Sequence, residues 1–164
     1  MDPIQIALAI SILLCSLVAG IVLAFAIIIM PGIGTLGDRD FLRAFKVMDR
    51  VIQNNHPTFL MVWLGSAVAI MALGVLSIWH LDSWNRILAI ILSVSYLLGV
   101  QLPTITINIP LNNRVQSLDL DHLDESVVAD ERKKFEPRWL LWNSIRTVVA
   151  TVVTTGLIVV ALRV

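Results

Sequence analysis

Charge is scarce in this chain, and so are the residues that usually carry chemistry. Only 15% of its 164 residues are charged and 57% are hydrophobic, whereas a soluble domain carries about 25% charged residues. Twelve basic side chains balance twelve acidic ones, so the net charge is zero and nothing favours nucleic acid as a partner. A single cysteine, Cys15, excludes an internal disulfide and a thiolate metal cluster. Lying in an apolar run, it reads as a small buried residue. The only histidines, His56, His80 and His122, share no ligand spacing on a helix, so neither a metal site nor a bis-histidine haem is expected. There is no Gly-rich phosphate loop, no Gly-x-Ser-x-Gly nucleophile motif, no repeat and no low-complexity tract. No cofactor is expected.

What the chain has is long apolar runs. Four reach the length of about 20 residues that a bilayer core requires: about 4–30, 58–79, 85–109 and 139–162. The first contains Ala24-Phe-Ala26, which faintly resembles a cleavage site. No Lys or Arg precedes it, however, and it runs for about 27 residues, against about 7–15 in a signal-peptide core. It reads as a retained span. Ser11, Cys15 or Ser16, Ala19 and Gly20 give it a small-residue stripe suited to helix packing. Pro31-Gly32 is expected to end it.

Residues 38–53 place Phe41, Leu42, Phe45, Met48 and Ile52 at helical spacing, with Arg39, Arg43, Lys46 and Arg50 on the other sides. That pattern predicts an amphipathic helix at the membrane surface. Pro57 suits the first turn of the second span, with His56 or Asn55 near the cap. The short link 80–84 makes spans two and three a hairpin. Pro103 is expected to kink the third span, where Gln101, Thr104 and Asn108 share one face. Residues 126–136 suit a separate surface helix, capped by Asp124 or Ser126. The fold expected is all-α: a single domain over 1–164, an integral membrane four-helix antiparallel bundle with a short amphipathic helix between spans one and two.

The basic residues are distributed unevenly. Arg39, Arg43, Lys46 and Arg50 lie in the first connector, and Arg114, Arg132, Lys133, Lys134 and Arg138 in the third. The positive-inside rule then predicts a multi-pass protein of the cell membrane with both connectors in the cytoplasm and both termini outside. Every polar or broken helix end falls on that cytoplasmic side.

Polar residues mark the same end. In Arg138-Trp-Leu-Leu-Trp-Asn-Ser-Ile-Arg146-Thr147, Arg146 stands roughly 12 Å beyond Arg138 at helical rise. An ionisable group inside a span usually faces the bundle interior or a cavity. Gln101, Asn108, Asn143 and Arg146 can converge there, with helix 38–53 as a lid. Asn112, Asn113, Arg114, Trp139 and Trp142 complete a set of amides, guanidiniums and indoles suited to binding a phenolate, enolate or carboxylate. Arg146 and Asn143 are the expected oxyanion stabilisers, and His56 or Asp49 the proton carrier. The blander alternative pairs Arg146 with Asp49 or Glu136 and uses the amides to tie loops to helix ends.

Met30-Pro-Gly32, the amphipathic helix ending near Asn54, Asn108-Ile-Pro-Leu-Asn-Asn113 and Arg138 to Thr147 together resemble the anthrone oxygenase-like family. These are small four-helix integral membrane proteins, a few of them linked to oxidation of anthrones to anthraquinones without a conventional cofactor. The resemblance implies an oxygenase acting on a small hydrophobic phenolic or quinone-like molecule. Its polar site would be formed by Asn108, Asn112, Asn113, Trp142, Asn143 and Arg146. Ser144 stands where many members have His, and Asp49 where many have Asn. The partners expected are the bilayer and a hydrophobic aromatic ligand, with a homo-oligomer left open. The alternative is a non-catalytic accessory or scaffold subunit that binds a partner helix through its small-residue stripe. A transporter fits less well, because no inverted repeat and no charge near the bilayer centre are present.

Overall fold

Asp2 starts the first helix: its carboxylate accepts from Ile4 N at 3.1 Å, and Pro3 occupies the first turn, where its missing N–H costs nothing. The computed structural model describes residues 2–164, and all their regular structure is helical. The elements are α1 (Pro3–Ala24), α2 (Met30–Gly34), α3 (Asp38–Gln53), α4 (Pro57–His80), α5 (Ser83–Tyr96), α6 (Ile109–Gln116) and α7 (Glu125–Ala161). Four continuous helical stretches, Pro3–Gly34, Pro57–His80, Ser83–Gln116 and Glu125–Ala161, are long and apolar enough to cross a membrane. They form an antiparallel ring in which α1 packs on α4 and α7, and α5 packs on α4 and α7. Asp82 caps α5 through Asn85 N at 2.9 Å, keeping the link after α4 to two residues.

Pro31, Pro103 and Pro110 each follow, two residues later, a wide π-helical turn: Phe25–Ile29, Leu97–Gln101 and Thr104–Asn108. Proline donates no N–H, and its ring collides with the carbonyl four residues back. Those carbonyls, of Ile27, Gly99 and Thr106, all lie inside the wide turns. There the ladder shifts by one residue, with Met30 N donating to Phe25 O, Leu102 N to Leu97 O and Ile109 N to Thr104 O. The helix absorbs the proline without ending. Pro31-Gly32 therefore does not break the first span, which runs on to Gly34, and the third runs past Pro110 to Gln116.

Three further expectations change. Residues 126–136 are not a separate surface helix: α7 is one helix of 37 residues carrying Pro137 inside it. At 1.5 Å per residue it is about 55 Å long, so its first turns project beyond a hydrocarbon core of about 30 Å. The apolar face of α3 does not lie on lipid. Phe41, Leu42 and Phe45 are at most 1% exposed and pack in a second core with Met30, Phe135 and Trp139. Each such side chain contributes roughly 1.5–3 kcal/mol of burial. Finally, the small-residue stripe is divided: Ser11 and Cys15 are wholly buried in helix packing inside the bundle, whereas Ser16 and Gly20 are exposed.

Basic side chains strap α3 and the following loops in place. Arg132 donates to Gly34 O (2.9 Å), Leu36 O (2.8 Å), Asp38 (3.0 Å) and Glu136 (2.7 Å), and lies 4.2 Å above the Phe41 ring. Arg39 reaches Leu123 O at 2.6 Å, and Lys46 reaches Leu118 O at 2.5 Å. Arg43 pairs with Asp121 and holds that carboxyl below the usual carboxylate range.

Candidate functional site

The three wide turns converge on one cavity. Phe25 lines it from the first, Leu97 and Gln101 from the second, and Thr104, Ile105 and Asn108 from the third. Its volume is about 510 Å³, within the range of roughly 300–1,000 Å³ common for small-molecule sites. The remaining walls are mostly apolar and aromatic: Ile21 and Val22 on α1, Phe45 on α3, Phe59, Trp63 and Leu64 on α4, and Trp139 on α7.

Arg146 enters from α7, 5% exposed. Its Nη1 donates to Thr104 Oγ1 and its Nη2 to Asn143 Oδ1, both at 3.0 Å. The guanidinium carbon stands 5.9 Å from the centroid of the Trp139 ring. Asn143 is itself anchored, its Nδ2 donating to Val22 O at 2.9 Å, one turn before the first wide turn. Thr104 is fixed by donation to Val100 O at 2.7 Å. Neither Asp49 nor Glu136 pairs with Arg146, contrary to the blander alternative: Glu136 is bound to Arg132 and Asp49 to amides. Among the described residues Arg146 has no carboxylate partner, and its Nε has no hydrogen-bond acceptor. A buried cation without a counter-charge costs several kcal/mol, so the arrangement is held against its own stability.

Asn108 is 2% exposed and, among the described residues, neither its Nδ2 nor its Oδ1 has a partner. A buried amide left open on both edges costs about 1–3 kcal/mol per group. Asn108 and Arg146 thus bring unused polar atoms to one apolar-walled space.

Asp49 also lines the cavity, 2% exposed. Its Oδ1 accepts from Asn112 Nδ2 at 2.7 Å, and its Oδ2 from Gln116 Nε2 at 2.8 Å and Gln53 Nε2 at 3.3 Å. Trp139 Nε1 donates to Asn112 Oδ1 at 2.9 Å. Carboxylate, amide, indole and guanidinium therefore form a continuous wall. Deeper in the bundle, Gln101 Nε2 donates to Ser66 Oγ at 3.1 Å, which also accepts from Tyr96 OH at 2.9 Å.

Of the residues singled out from the sequence, Asp49, Gln101, Asn108, Asn112, Trp139, Asn143 and Arg146 come together around the cavity. Four lie outside its lining. His56 is exposed at the start of α4, Asn113 accepts from Gln53 at 2.9 Å, Arg114 is clamped to Glu131 at 2.7 Å, and Trp142 is half-buried elsewhere on α7. Ser144 is exposed on the outer face of α7 and does not line the cavity. The sequence reading missed Thr104 as the anchor of Arg146, although it shares the polar face of Gln101 and Asn108. It also missed Gln53 and Gln116, whose signal is a spacing of one helical turn from Asp49 and Asn112. Nothing separates Phe59 and Trp63 from other aromatic residues in sequence.

Residues 50–156 match the sequence model of a family described as anthrone oxygenase. Comparison with curated proteins and with solved structures returned no match.

Proposed function

The chain belongs to the anthrone oxygenase family, and from that premise we propose that it oxidises a small, flat, lipid-soluble phenolic or quinone-forming molecule of the anthrone kind in this cavity. The observation that carries the proposal is the pair of unused polar groups, Arg146 Nε and the Asn108 amide, buried in one apolar-walled space. An anthrone has an acidic ring CH2 opposite a ketone. Removing one CH2 proton moves the electron pair onto the ketone oxygen as an enolate. Reaction with O2 then turns the CH2 into a second carbonyl, one oxygen atom staying in the product and the other leaving as water.

The residues have defined parts. Arg146 Nε–H and Asn108 Nδ2–H donate to the enolate oxygen, stabilising charge as it develops. Asp49, which lines the same cavity, takes the CH2 proton. Asn143 and Thr104 act as positioning residues, because their side chains are already committed to holding Arg146. Asn143 thereby loses the oxyanion contact expected of it, and Asn108 takes that role. The aromatic walls hold the planar rings and exclude water. The polar end faces the cytoplasm of a cell membrane and both termini lie outside; the nine basic residues flanking that end support this orientation.

The test is turnover. The full-length protein in lipid nanodiscs is given anthrone and dissolved O2, and anthraquinone is followed by absorbance. Wild type produces anthraquinone with one O2 consumed per molecule formed. Arg146→Leu and Asn108→Leu each lose about 10²–10³-fold in kcat, the usual effect of removing one oxyanion donor, while unfolding cooperatively on heating. Wild-type turnover in either folded variant would sink the proposed roles, and no turnover in wild type would sink the reaction.

A further inference from the structure

The cavity has two rims of different character. On one, Leu64 of α4 and Ile105 and Ile109 of the third span line the cavity while remaining 58%, 60% and 42% exposed. All three are large, apolar and placed on membrane-spanning helices. On the other, Gln53 and Asn55 line it and are exposed at the turn between α3 and α4, beside Asp49.

The apolar rim is produced by the way the helices diverge. Up to Tyr96 the third span packs on α4. Past Tyr96, the wide turns and α6 pack on α7, and among the described residues none of them forms an extended packing with α4. Gln101 marks the inner corner of the resulting gap, its Nε2 reaching Trp63 O at 3.4 Å and Ser66 Oγ at 3.1 Å. The prolines are the sequence cause: Pro103 and Pro110 enforce the two wide turns over which the third span leaves α4. The end of the bundle is meanwhile covered by α3, which Arg132, Arg39 and Lys46 tie down.

We infer that the gap between α4 and the wide turns of the third span is a lateral portal, through which a planar aromatic molecule dissolved in the bilayer slides into the cavity. The inference rests on the function proposed above and adds the route. The ligand leaves lipid polar end first, passes Leu64 and Ile105, and meets Arg146 and Asn108 without crossing bulk water. The rim at Gln53 and Asn55 serves water and the proton taken by Asp49. Affinity then draws on the membrane concentration of the ligand. Narrowing the portal slows entry and exit together and leaves the dissociation constant unchanged.

The test uses a Cys15→Ser chain carrying Leu64→Cys and Ile105→Cys, bridged in nanodiscs by a disulfide-containing bis-maleimide. The probe is 6-bromo-2-naphthol, and the amount retained after washing is read by mass spectrometry. Bridging before a brief exposure to the probe, too short for equilibrium, should cut retained probe at least tenfold, bridging after loading should trap it, and reductive cleavage of the bridge should restore loading. A control bridge between Val75→Cys and Val94→Cys, both exposed, outside the cavity lining and on the part of α4 and α5 that packs together before the gap opens, should change nothing. Equal loading of bridged and open protein overturns the portal and leaves the function standing, with entry then at the Gln53–Asn55 rim. No retention in the open protein overturns both.

Discussion

Trp139 Nε1 donates to Asn112 Oδ1 at 2.9 Å, and this fixes which way the Asn112 amide points. Its oxygen is taken by the indole, so its Nδ2 faces Asp49, where it makes the shortest of that carboxylate's three contacts, 2.7 Å. One aromatic residue thereby orients the amide that holds Asp49, the proposed base, and, through its ring face 5.9 Å from the guanidinium carbon, walls in Arg146.

Trp139→Phe keeps an aromatic wall and removes the donor. Asn112 Oδ1 loses its partner, at a cost of about 1–3 kcal/mol of stability. Turnover of anthrone falls mainly in kcat, because the base is misoriented while the apolar walls remain. Unchanged kcat with a higher KM would assign Trp139 to binding alone.

Asn143→Ala removes two hydrogen bonds at once, from Arg146 Nη2 and to Val22 O. Stability is expected to fall by about 2–4 kcal/mol, since one of the two bonds carries charge. The double variant with Thr104→Val should show non-additive loss of turnover, because both residues act through the same guanidinium. Additive losses in that cycle would separate them.

Gly99 lies where the third span meets α7. A Cβ there would stand 2.8 Å from Val149 Cγ1 and 3.1 Å from its Cγ2. Gly99→Ala should therefore lower the unfolding free energy by about 1–3 kcal/mol. Val149→Ala in the same chain should recover part of the loss. Thermal unfolding in nanodiscs checks both, and a Gly99→Ala protein as stable as wild type would contradict the packing.

Much of this fold was legible in the sequence because hydrophobic length and period are strong local signals. The four spans, the amphipathic helix 38–53 and the capping position of His56 before Pro57 all follow from them. The prolines misled at Pro31, since a proline reads as a break and the i→i+5 turn that absorbs it has no composition of its own. The merging of 126–136 into α7 was hidden because Pro137 also reads as a break, although α7 carries it with no wide turn. Within the site, Gln101, Asn108, Asn143 and Arg146 stood out because polar residues in apolar helices are conspicuous. His56, Asn113, Arg114 and Trp142 carry equally conspicuous chemistry, and their positions around their helices turn them away from the cavity. For Asn113 and Arg114 that position follows the wide turn Thr104–Asn108, which directly precedes α6. The stripe on α1 packs within the bundle at Ser11 and Cys15, because small residues suit packing within one chain as well as between chains.

In the proposed function Arg146 and Asn108 hold an oxygen atom of a flat aromatic ligand. The most direct measurement compares the affinities of 1-naphthol and 1-methylnaphthalene, nearly equal in shape, for the protein in nanodiscs, each corrected for lipid partitioning. Wild type is predicted to prefer the naphthol by about 10–100-fold, equivalent to roughly 1.4–2.8 kcal/mol, and Arg146→Leu with Asn108→Leu to erase that preference. Equal affinity for the two probes in the wild-type protein would contradict the account.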